Sequence, residues 1–442
     1  MKRARVVIGA GLGDEGKGLM TDFFVNRFGD DCLVVRFNGG AQAGHTVTLP
    51  TGERHVFGHF GAGTLAGAPT YLSRFFVVNP ILFFNERDQL GKVMQGRLPE
   101  AYVDRDALLT TPYDMLLNQL LEQGRGDARH GSCGIGFGET IERCLDPHHR
   151  TTVADLLDPA RFAAKIVGIR DYYVPQRLRQ LGIAELPERF ASLFADTDLS
   201  NRFVQDALLF SEEVTITGIE TLTSAGQVVF EGAQGLLLDE FHPWFPHVTR
   251  SRTGLPNVVI LAREAGIPRL DVTYVTRVYL TRHGAGPLPF ELPGKPYDGI
   301  EDRTNLHNAY QGALRFAWLN FDLLNAAVKG DLRSADGLEI RPDLAITCLD
   351  QVGQKLKYVH KGRIVEVAPQ NVVEIASRML GFSGFHTGRG PSRSTVDSGF
   401  LSQKGLPAAP PTCRGLGRGE QPHCCSSDQS SHLISDNRGC NE

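Results

Sequence analysis

The sequence predicts an α/β fold: a single large domain built around a mostly parallel central β-sheet, with helical and loop insertions. Three observations carry this. The apolar run Val6-Val7-Ile8 leads directly into the glycine-rich stretch GAGLGDEGKG (9–18). A helical pattern, GKGLMTDFFVNRFG, follows it. A second apolar run, CLVVRF (32–37), then precedes another glycine-rich loop, NGGAQAGHT (38–46). Strand, loop, helix and strand in such close succession begin a parallel sheet, because parallel neighbours need a crossover between them.

The elements follow in order. ARVVIG (4–9) is short, apolar and ends on glycine, as a buried strand does. The helix after it sets Leu19, Phe23 and Val25–Phe28 on an apolar side. Further buried strands are expected at FFVVNP (75–80), QVVFEG (227–232), LDVTYVTRVY (270–279) and LAITCLD (344–350). Helical periodicity covers 112–124, 175–212, 255–265 and 310–328. The polar, glycine-bearing stretches 129–152 and 281–310 read as loops, and loops that long are usually functional. After GPSRSTV (390–396) the composition changes to Gly, Ser, Pro and Cys. The expected division is a folded domain over 1–396 and a disordered tail over 397–442. No internal repeat is visible.

At 442 residues, 41% hydrophobic and 22% charged, the chain can bury the core of one large or two medium globular domains. A formal charge of −4 gives no electrostatic reason to hold nucleic acid or an anionic membrane. The N-terminus opens like a signal peptide, but its apolar stretch is short and runs into charges. No run approaches the ~18 apolar residues of a membrane span. A cytoplasmic protein is expected. Cys32, Cys133, Cys144 and Cys348 are scattered, as reduced thiols usually are. Cys413, Cys424, Cys425 and Cys440 crowd into the tail beside His423, but their spacing matches no standard zinc module.

The first glycine loop fits two phosphate-binding patterns. Gly11, Gly13 and Gly16 satisfy G-x-G-x-x-G, and Gly11 through Gly16-Lys17 satisfy G-x-x-x-x-G-K, which makes the fold P-loop-NTPase-like. The second pattern then breaks, because Gly18 stands where a P-loop carries Ser or Thr for magnesium. A glycine turn between strand and helix aims backbone N–H groups at an anion. Lys17 adds a mobile cation suited to a phosphate oxygen. Without a hydroxyl at position 18, a metal needs another oxygen, and Asp14 is a hard carboxylate in the same loop. Asp14 is also a candidate base. A dinucleotide fold would place an acid at the end of the second strand; Arg36 and Asn38 stand there instead, which counts against NAD. The plain alternative is a tight turn with exposed charges.

GDEGKG (13–18) followed by FNGGAQAGHT (37–46) resembles the adenylosuccinate synthetase family. FEGAQGLLLD (230–239), PHVTRSRTG (246–254), TRHGAGPLPFEL (281–292), TCLD (347–350) and GPSR (390–393) then appear in that family's order. The resemblance covers residues 4 to 396 or so. It implies a homodimeric, Mg²⁺-dependent ligase that joins L-aspartate to C6 of a 6-oxopurine nucleoside monophosphate, usually IMP. GTP is hydrolysed to GDP and phosphate by way of a 6-phosphoryl intermediate. Carried over residue by residue, Asp14 is the base for the purine N1 proton and a metal ligand, with the Gly44 carbonyl as the second ligand. His45 is the catalytic histidine that donates to the migrating phosphoryl group. Lys17 is catalytic and binds the donor's phosphates with Gly13, Glu15, Gly16, Gly18, Gly44 and Thr46, while Asp350 reads the donor base. Asp14, Gln42, Cys133, Gly134, Arg143, Gln234 and Thr249 bind the purine monophosphate. Arg143 or Arg150 supplies the phosphate arginine that the family lends across its dimer interface. Thr304, Gln311 and Arg315 bind aspartate, with Arg315 on a carboxylate.

The departures bear on substrate. Gly11-Leu12 replaces the family's usual Gln-Trp. The usual threonine- and arginine-rich aspartate loop reads EDRTNLHNAYQGALRFAWLNF (301–321) and keeps only Arg303 and Arg315, with Thr304, Asn308 and Gln311 as polar substitutes. Cys348 replaces the usual lysine of the donor-base motif, so GTP and ATP both stay open as donors. These changes resemble the divergent phage branch that makes 2-aminoadenylosuccinate from GMP or dGMP with ATP or dATP, in the host cytoplasm if phage-encoded. IMP and GMP share the N1–H and 6-oxo edge, so Asp14 and His45 suit either. That branch often departs at the catalytic Asp, and this chain keeps it. Rivals from other classes are a non-catalytic nucleotide sensor on the same fold, a phosphotransferase that stops at phosphorylation, and an NAD oxidoreductase.

Overall fold

The run Val6-Val7-Ile8 lies in the middle of a ten-stranded sheet in the computed structural model, which describes residues 3–29, 31–126, 130–302, 305 and 312–401. In chain order the strands are β1 (Arg3–Gly9), β2 (Cys32–Arg36), β3 (Thr70–Leu72), β4 (Ala101–Asp104), β5 (Thr215–Thr217), β6 (Gln227–Gly235), β7 (Arg269–Arg277), β8 (Glu339–Thr347), β9 (Gly384–Gly388) and β10 (Val396–Phe400). Across the sheet they run β10-β9-β8-β7-β1-β6-β2-β3-β4-β5. Every pairing is parallel except β9 with β10. The mostly parallel α/β sheet expected from the sequence is therefore present. Val6, Val7 and Ile8 have no exposed surface, as befits strands covered on both faces.

The helix Lys17–Phe28 returns across one face and buries Leu19, Met20, Phe23 and Phe24 against Val7, Val34 and Val229. The helices Leu255–Glu264 and Phe321–Leu332 cover the other face over Ile8, Phe230, Val272 and Leu344. Between β4 and β5 the chain leaves the sheet. It builds a helical insertion from Pro112–Arg125, Phe137–Cys144, Pro159–Gly168 and Thr197–Glu213, with a core of Leu117, Phe162, Ile166, Phe203 and Phe210.

Several local expectations need correction. FFVVNP contributes only the two-residue strand Val77–Val78, paired with Leu108–Leu109. Pro80 then opens the helix Pro80–Val93, capped by the Asn79 side chain on the Leu82 amide. The helical stretch 310–328 begins as the strand Arg315–Asn320, antiparallel to Tyr279–Arg282, and turns helical only at Phe321, where Asn320 caps it. Aromatic residues in RFAWLNF favour the strand, a preference the helical spacing concealed. The stretch 175–212 is three helices, Val174–Gln180, Glu188–Ala195 and Thr197–Glu213, interrupted around Gly182 and Pro187. The polar stretch 129–152 contains the helix Phe137–Cys144. The boundary at 396 falls too early, because residues 397–400 pair with β9. Residues 402–442, with the tail cysteines and His423, lie outside the described residues. Among the described residues no helix is long and apolar enough to cross a membrane.

Candidate active site

The loops beyond the carboxyl ends of β1, β2, β6 and β7 enclose a cavity of about 820 Å³. Ligands of parallel sheets bind at this edge, where the connecting loops open outward. The first glycine loop forms its floor. Gly13 and Gly16 are left-handed, with φ of 95° and 97°. Gly18 explains the broken P-loop pattern: a Cβ there would lie 2.9 Å from the Thr46 carbonyl oxygen and 3.1 Å from the His45 Cβ. The loop gives up the metal-binding hydroxyl so that the histidine strand can pack against it.

Glu15 turns inward. Its Oε1 accepts from the amides of Gly11 (3.0 Å) and Gly13 (2.8 Å), and its Oε2 takes the Lys17 ammonium at 2.7 Å. The amide nest and the lysine expected to hold phosphate thus hold an internal carboxylate. Glu15 lines the cavity but is only 3% exposed, its carboxylate engaged by the loop's own amides and lysine.

His45 faces the same cavity from the second loop. Its Nδ1 lies 2.6 Å from Oε1 of Glu231, whose side chain is wholly buried on β6 and whose Oε2 accepts from the Ala62 amide at 2.9 Å. The carboxylate can only accept, so Nδ1 carries the hydrogen and Nε2 is left for the cavity. Burial pulls the imidazole below its ordinary pKa; Glu231 opposes this, while Arg36 and Lys17 reinforce it. His45 is therefore neutral near pH 7. Burial pushes Glu231 up, but the His45 ring hydrogen-bonded to it, the Arg36 guanidinium and the Ala62 amide outweigh it and hold the carboxyl below its usual range.

Asp14 sits at the turn of the first loop with φ 60°. Its Oδ2 is 3.1 Å from the His283 Nε2. Burial alone would raise this carboxyl, but His283, Arg277 and Lys17 bring it down to about 2. Asp14 is thus ionised, the form required of both a metal ligand and a proton acceptor. Burial lowers His283, but Asp14 and Asn305 outweigh it and raise its pKa.

The profile of the adenylosuccinate synthetase family matches residues 6–387. The chain belongs to the adenylosuccinate synthetase family. The adenylosuccinate synthetase of Desulforapulum autotrophicum is 31% identical over 380 residues, covering 82% of each chain. That of Acidithiobacillus ferrooxidans is 30% identical over 385 residues, covering 85% of this chain and 86% of the relative. The fold is that of the fully ligated adenylosuccinate synthetase of Plasmodium falciparum, with a TM-score of 0.68 at 17% identity over 89% of this chain and 99% of the other. It is also that of the cyanophage S-2L succinoaminodeoxyadenylate synthetase bound to dGMP and dATP, with a TM-score of 0.57 at 15% identity over 90% and 95%. The family's members are C–N bond-forming ligases of purine nucleotide synthesis.

Within this ligase family the remaining residues sort as follows. Gly13, Asp14, Gly16, Lys17, Gly18, Gln42, Gly44, His45, Thr46, Cys133, Gln234 and Thr249 all line the cavity. Both amide atoms of Gln42 and the Oε1 of Gln234 are buried without a hydrogen-bond partner, as groups awaiting a polar ligand would be. Gly134 is set back from the lining, with its carbonyl accepting from Gln119 at 3.1 Å. Asp350 is exposed on the turn Leu349–Gln351 beyond β8, outside the cavity lining.

Arg143 is a correction. Its guanidinium is 0% exposed and bonds both oxygens of Asp114, the carbonyls of Leu109 and His149, and the Thr151 hydroxyl. Every N–H is consumed in bracing the helix Pro112–Arg125, so none is free for a phosphate. Arg150, the other arginine considered, is exposed. Arg315 is a second correction: it pairs with Glu291 and donates to the carbonyls of Gly284 and Gly286, outside the cavity. Thr304 and Gln311, with Arg303 and Asn308, lie outside the described residues.

Sequence reasoning missed Glu231, Arg277, Arg282, His283 and Asn305. Glu231 left a signal, a lone carboxylate in an otherwise apolar buried strand. His283 and Asn305 left none, because their contacts join distant loops.

Proposed function

We propose that the protein condenses L-aspartate onto C6 of a 6-oxopurine nucleoside monophosphate, with IMP as acceptor, while hydrolysing a nucleoside triphosphate to the diphosphate and phosphate. One observation carries the reading: an ionised carboxylate, Asp14, and a histidine backed by a buried carboxylate, His45–Glu231, face one cavity above a phosphate loop.

The residues then have the following work. Asp14 accepts the N1 proton of the purine as its 6-oxygen attacks the γ-phosphorus and the nucleoside diphosphate leaves. The arriving phosphates favour a proton on the His45 Nε2, which then donates to the migrating phosphoryl group. Glu231 stabilises the imidazolium so formed. The aspartate amine next attacks C6 and phosphate departs. Lys17 and the loop amides hold phosphate oxygens in place of Glu15, while Gln42, Cys133, Gln234 and Thr249 receive the monophosphate.

Asp14 and the carbonyl of Gly44 would hold Mg²⁺. Among the described residues no cluster of His, Cys, Asp or Glu forms an all-protein metal cage, and a single hard carboxylate beside a phosphate loop suits an ion held mainly by substrate phosphates. When bound, the ion neutralises phosphate charge. A homodimer is part of the proposal, with a partner arginine completing the 5′-phosphate site.

A second reading takes GMP or dGMP with ATP or dATP. Cys348 in the donor-base motif and the divergent 301–321 segment favour it; the retained Asp14 favours IMP. One matrix of assays tests both. Protein with Mg²⁺ and aspartate is offered IMP, dIMP, GMP or dGMP, each with GTP or ATP, and the purine–succinate absorbance is followed. Turnover without aspartate would point to a phosphotransferase, and nucleotide binding without product to a sensor.

A further inference from the structure

We propose that His283 is a positioning residue for this reaction. It holds the Asp14 carboxylate by one oxygen and ties it, through Asn305, to Asp302. The inference rests on the ligase reading and deepens it.

His283 follows the strand Tyr279–Arg282 on a turn made rigid from several sides. Arg282 donates to the carbonyls of Ala285 (3.0 Å), Pro287 (3.1 Å) and His247 (2.6 Å). Arg315 donates to those of Gly284 (2.9 Å) and Gly286 (3.0 Å). Gly284 and Gly286 are left-handed, and a Cβ on Gly284 would strike the His130 carbonyl at 2.7 Å. The imidazole is thus presented from a braced turn, which is what precise positioning of a reacting group requires.

Its Nε2 lies 3.1 Å from the Asp14 Oδ2 and 3.1 Å from the Asn305 Oδ1. Both are acceptors, so Nε2 carries the hydrogen and shares it between them. Asn305 bonds Asp302 twice, through its amide at 2.9 Å and its Nδ2 at 2.7 Å. Asp302 faces the Arg277 Nη1 at 3.5 Å, and the Arg277 Nε donates to the Asp14 carbonyl. The chain of contacts therefore closes on Asp14, gripping its side chain at one end and its backbone at the other. A non-glycine residue at φ 60° needs such support, since that region is sparsely populated. With Oδ2 engaged by His283, Oδ1 is the oxygen left for ligands in the cavity.

The test compares wild type with His283→Gln, which keeps an N–H near Nε2, His283→Leu, which removes it, Asn305→Ala and the double variant His283→Leu/Asn305→Ala. Steady-state kcat and the KM for aspartate are read beside equilibrium nucleotide binding. His283→Leu should lose about 10- to 100-fold in kcat/KM for aspartate, the scale of a catalytic group set slightly out of place. His283→Gln should recover most of it. Nucleotide affinity should stay at the wild-type value, and the double variant should be no worse than His283→Leu alone. Full activity in His283→Leu, equal damage in His283→Gln, lost nucleotide binding or fully additive effects would each overturn the assignment. Wild-type protein that forms no aspartate-dependent product would overturn the ligase reading instead, so the two failures are distinct.

Discussion

Glu231→Gln changes one oxygen to nitrogen in a side chain that is wholly buried and 2.6 Å from the His45 ring. The amide oxygen can still accept from Nδ1–H, while the new NH2 faces the Ala62 amide that Oε2 accepted from, so that one contact is lost. What disappears is the charge that supports the imidazolium. Two unit charges centred about 4 Å apart at an effective dielectric of about 20 attract by about 4 kcal/mol. That loss, absent from the neutral resting form and felt once the donor's phosphates have brought a proton onto His45 for the phosphoryl transfer, corresponds to a fall in kcat of about 10³-fold. The KM for the purine nucleotide should hardly move, because neutral His45 is the resting form. The assay is purine–succinate formation at saturating donor and aspartate, with thermal unfolding as a control for the buried substitution. A stable Glu231→Gln protein within about tenfold of wild-type kcat would refute the electrostatic role, since a tenfold change is only about 1.4 kcal/mol.

Asp14→Asn should abolish ligation and leave nucleotide binding intact, checked by turnover beside equilibrium binding; residual ligation near wild type would remove Asp14 as the base. Gly18→Ser restores the P-loop hydroxyl on paper, yet its Cβ would press on the His45–Thr46 backbone at 2.9 Å. It should cost about 1–3 kcal/mol by overpacking and reduce kcat through a displaced His45, measured by chemical denaturation and turnover. Burial pushes the Glu86 carboxyl up, but the neighbouring imidazoles of His55 and His59 and hydrogen bonds from the amides of Gly58, His59 and Phe60 bring it from 4.5 down to about 2. Its folded value lies below its unfolded one, so its contribution is present above pH 4.5 and fades as pH falls toward 2. The contribution is about 3 kcal/mol by linkage. Glu86→Gln should therefore be less stable than wild type at pH 7 by roughly that amount, with the gap closing in acid, as urea titrations at several pH values would report.

Much of this was legible in the sequence because it is encoded locally. The strand, glycine turn and helix at 4–28 share one short stretch, and hydrophobic run length sufficed to place β1, β2, β6, β7 and β8 in a parallel sheet. The short strands Thr70–Leu72, Ala101–Asp104 and Thr215–Thr217 escaped notice, since three or four residues are too few for a period to show. Arg315–Asn320 was hidden by a different effect, a helical pattern that spills backward from Phe321. That Asp14, Lys17 and His45 would meet at one cavity could be read because their motifs are compact. Arg143 was misjudged because whether an arginine faces a ligand or a buried aspartate is decided by residues 29 positions away. His283 and Glu231 act through partners 269 and 186 positions distant, on other elements, and no local pattern carries that information.

The opening loop shows why a carboxylate belongs inside an anion site. Backbone amides turned toward a common point, with a lysine beside them, leave buried donors and a positive charge unpaired whenever no phosphate is bound. Glu15 resolves this from within, accepting from Gly11, Gly13 and Lys17 at 2.7–3.0 Å. Its fit depends on glycine on two other elements: a Cβ on Gly9 would stand 2.4 Å from Oε2, and one on Gly235 would stand 2.5 Å from Oε1. The glycines at the ends of β1 and β6 therefore make room for a carboxylate as much as for a ligand. The loop's amides and lysine are thus satisfied without a ligand, and on the ligase reading proposed above an arriving phosphate would exchange one satisfied set of contacts for another. Asp14, next in the chain to Glu15, is held independently of that exchange by His283 and Arg277.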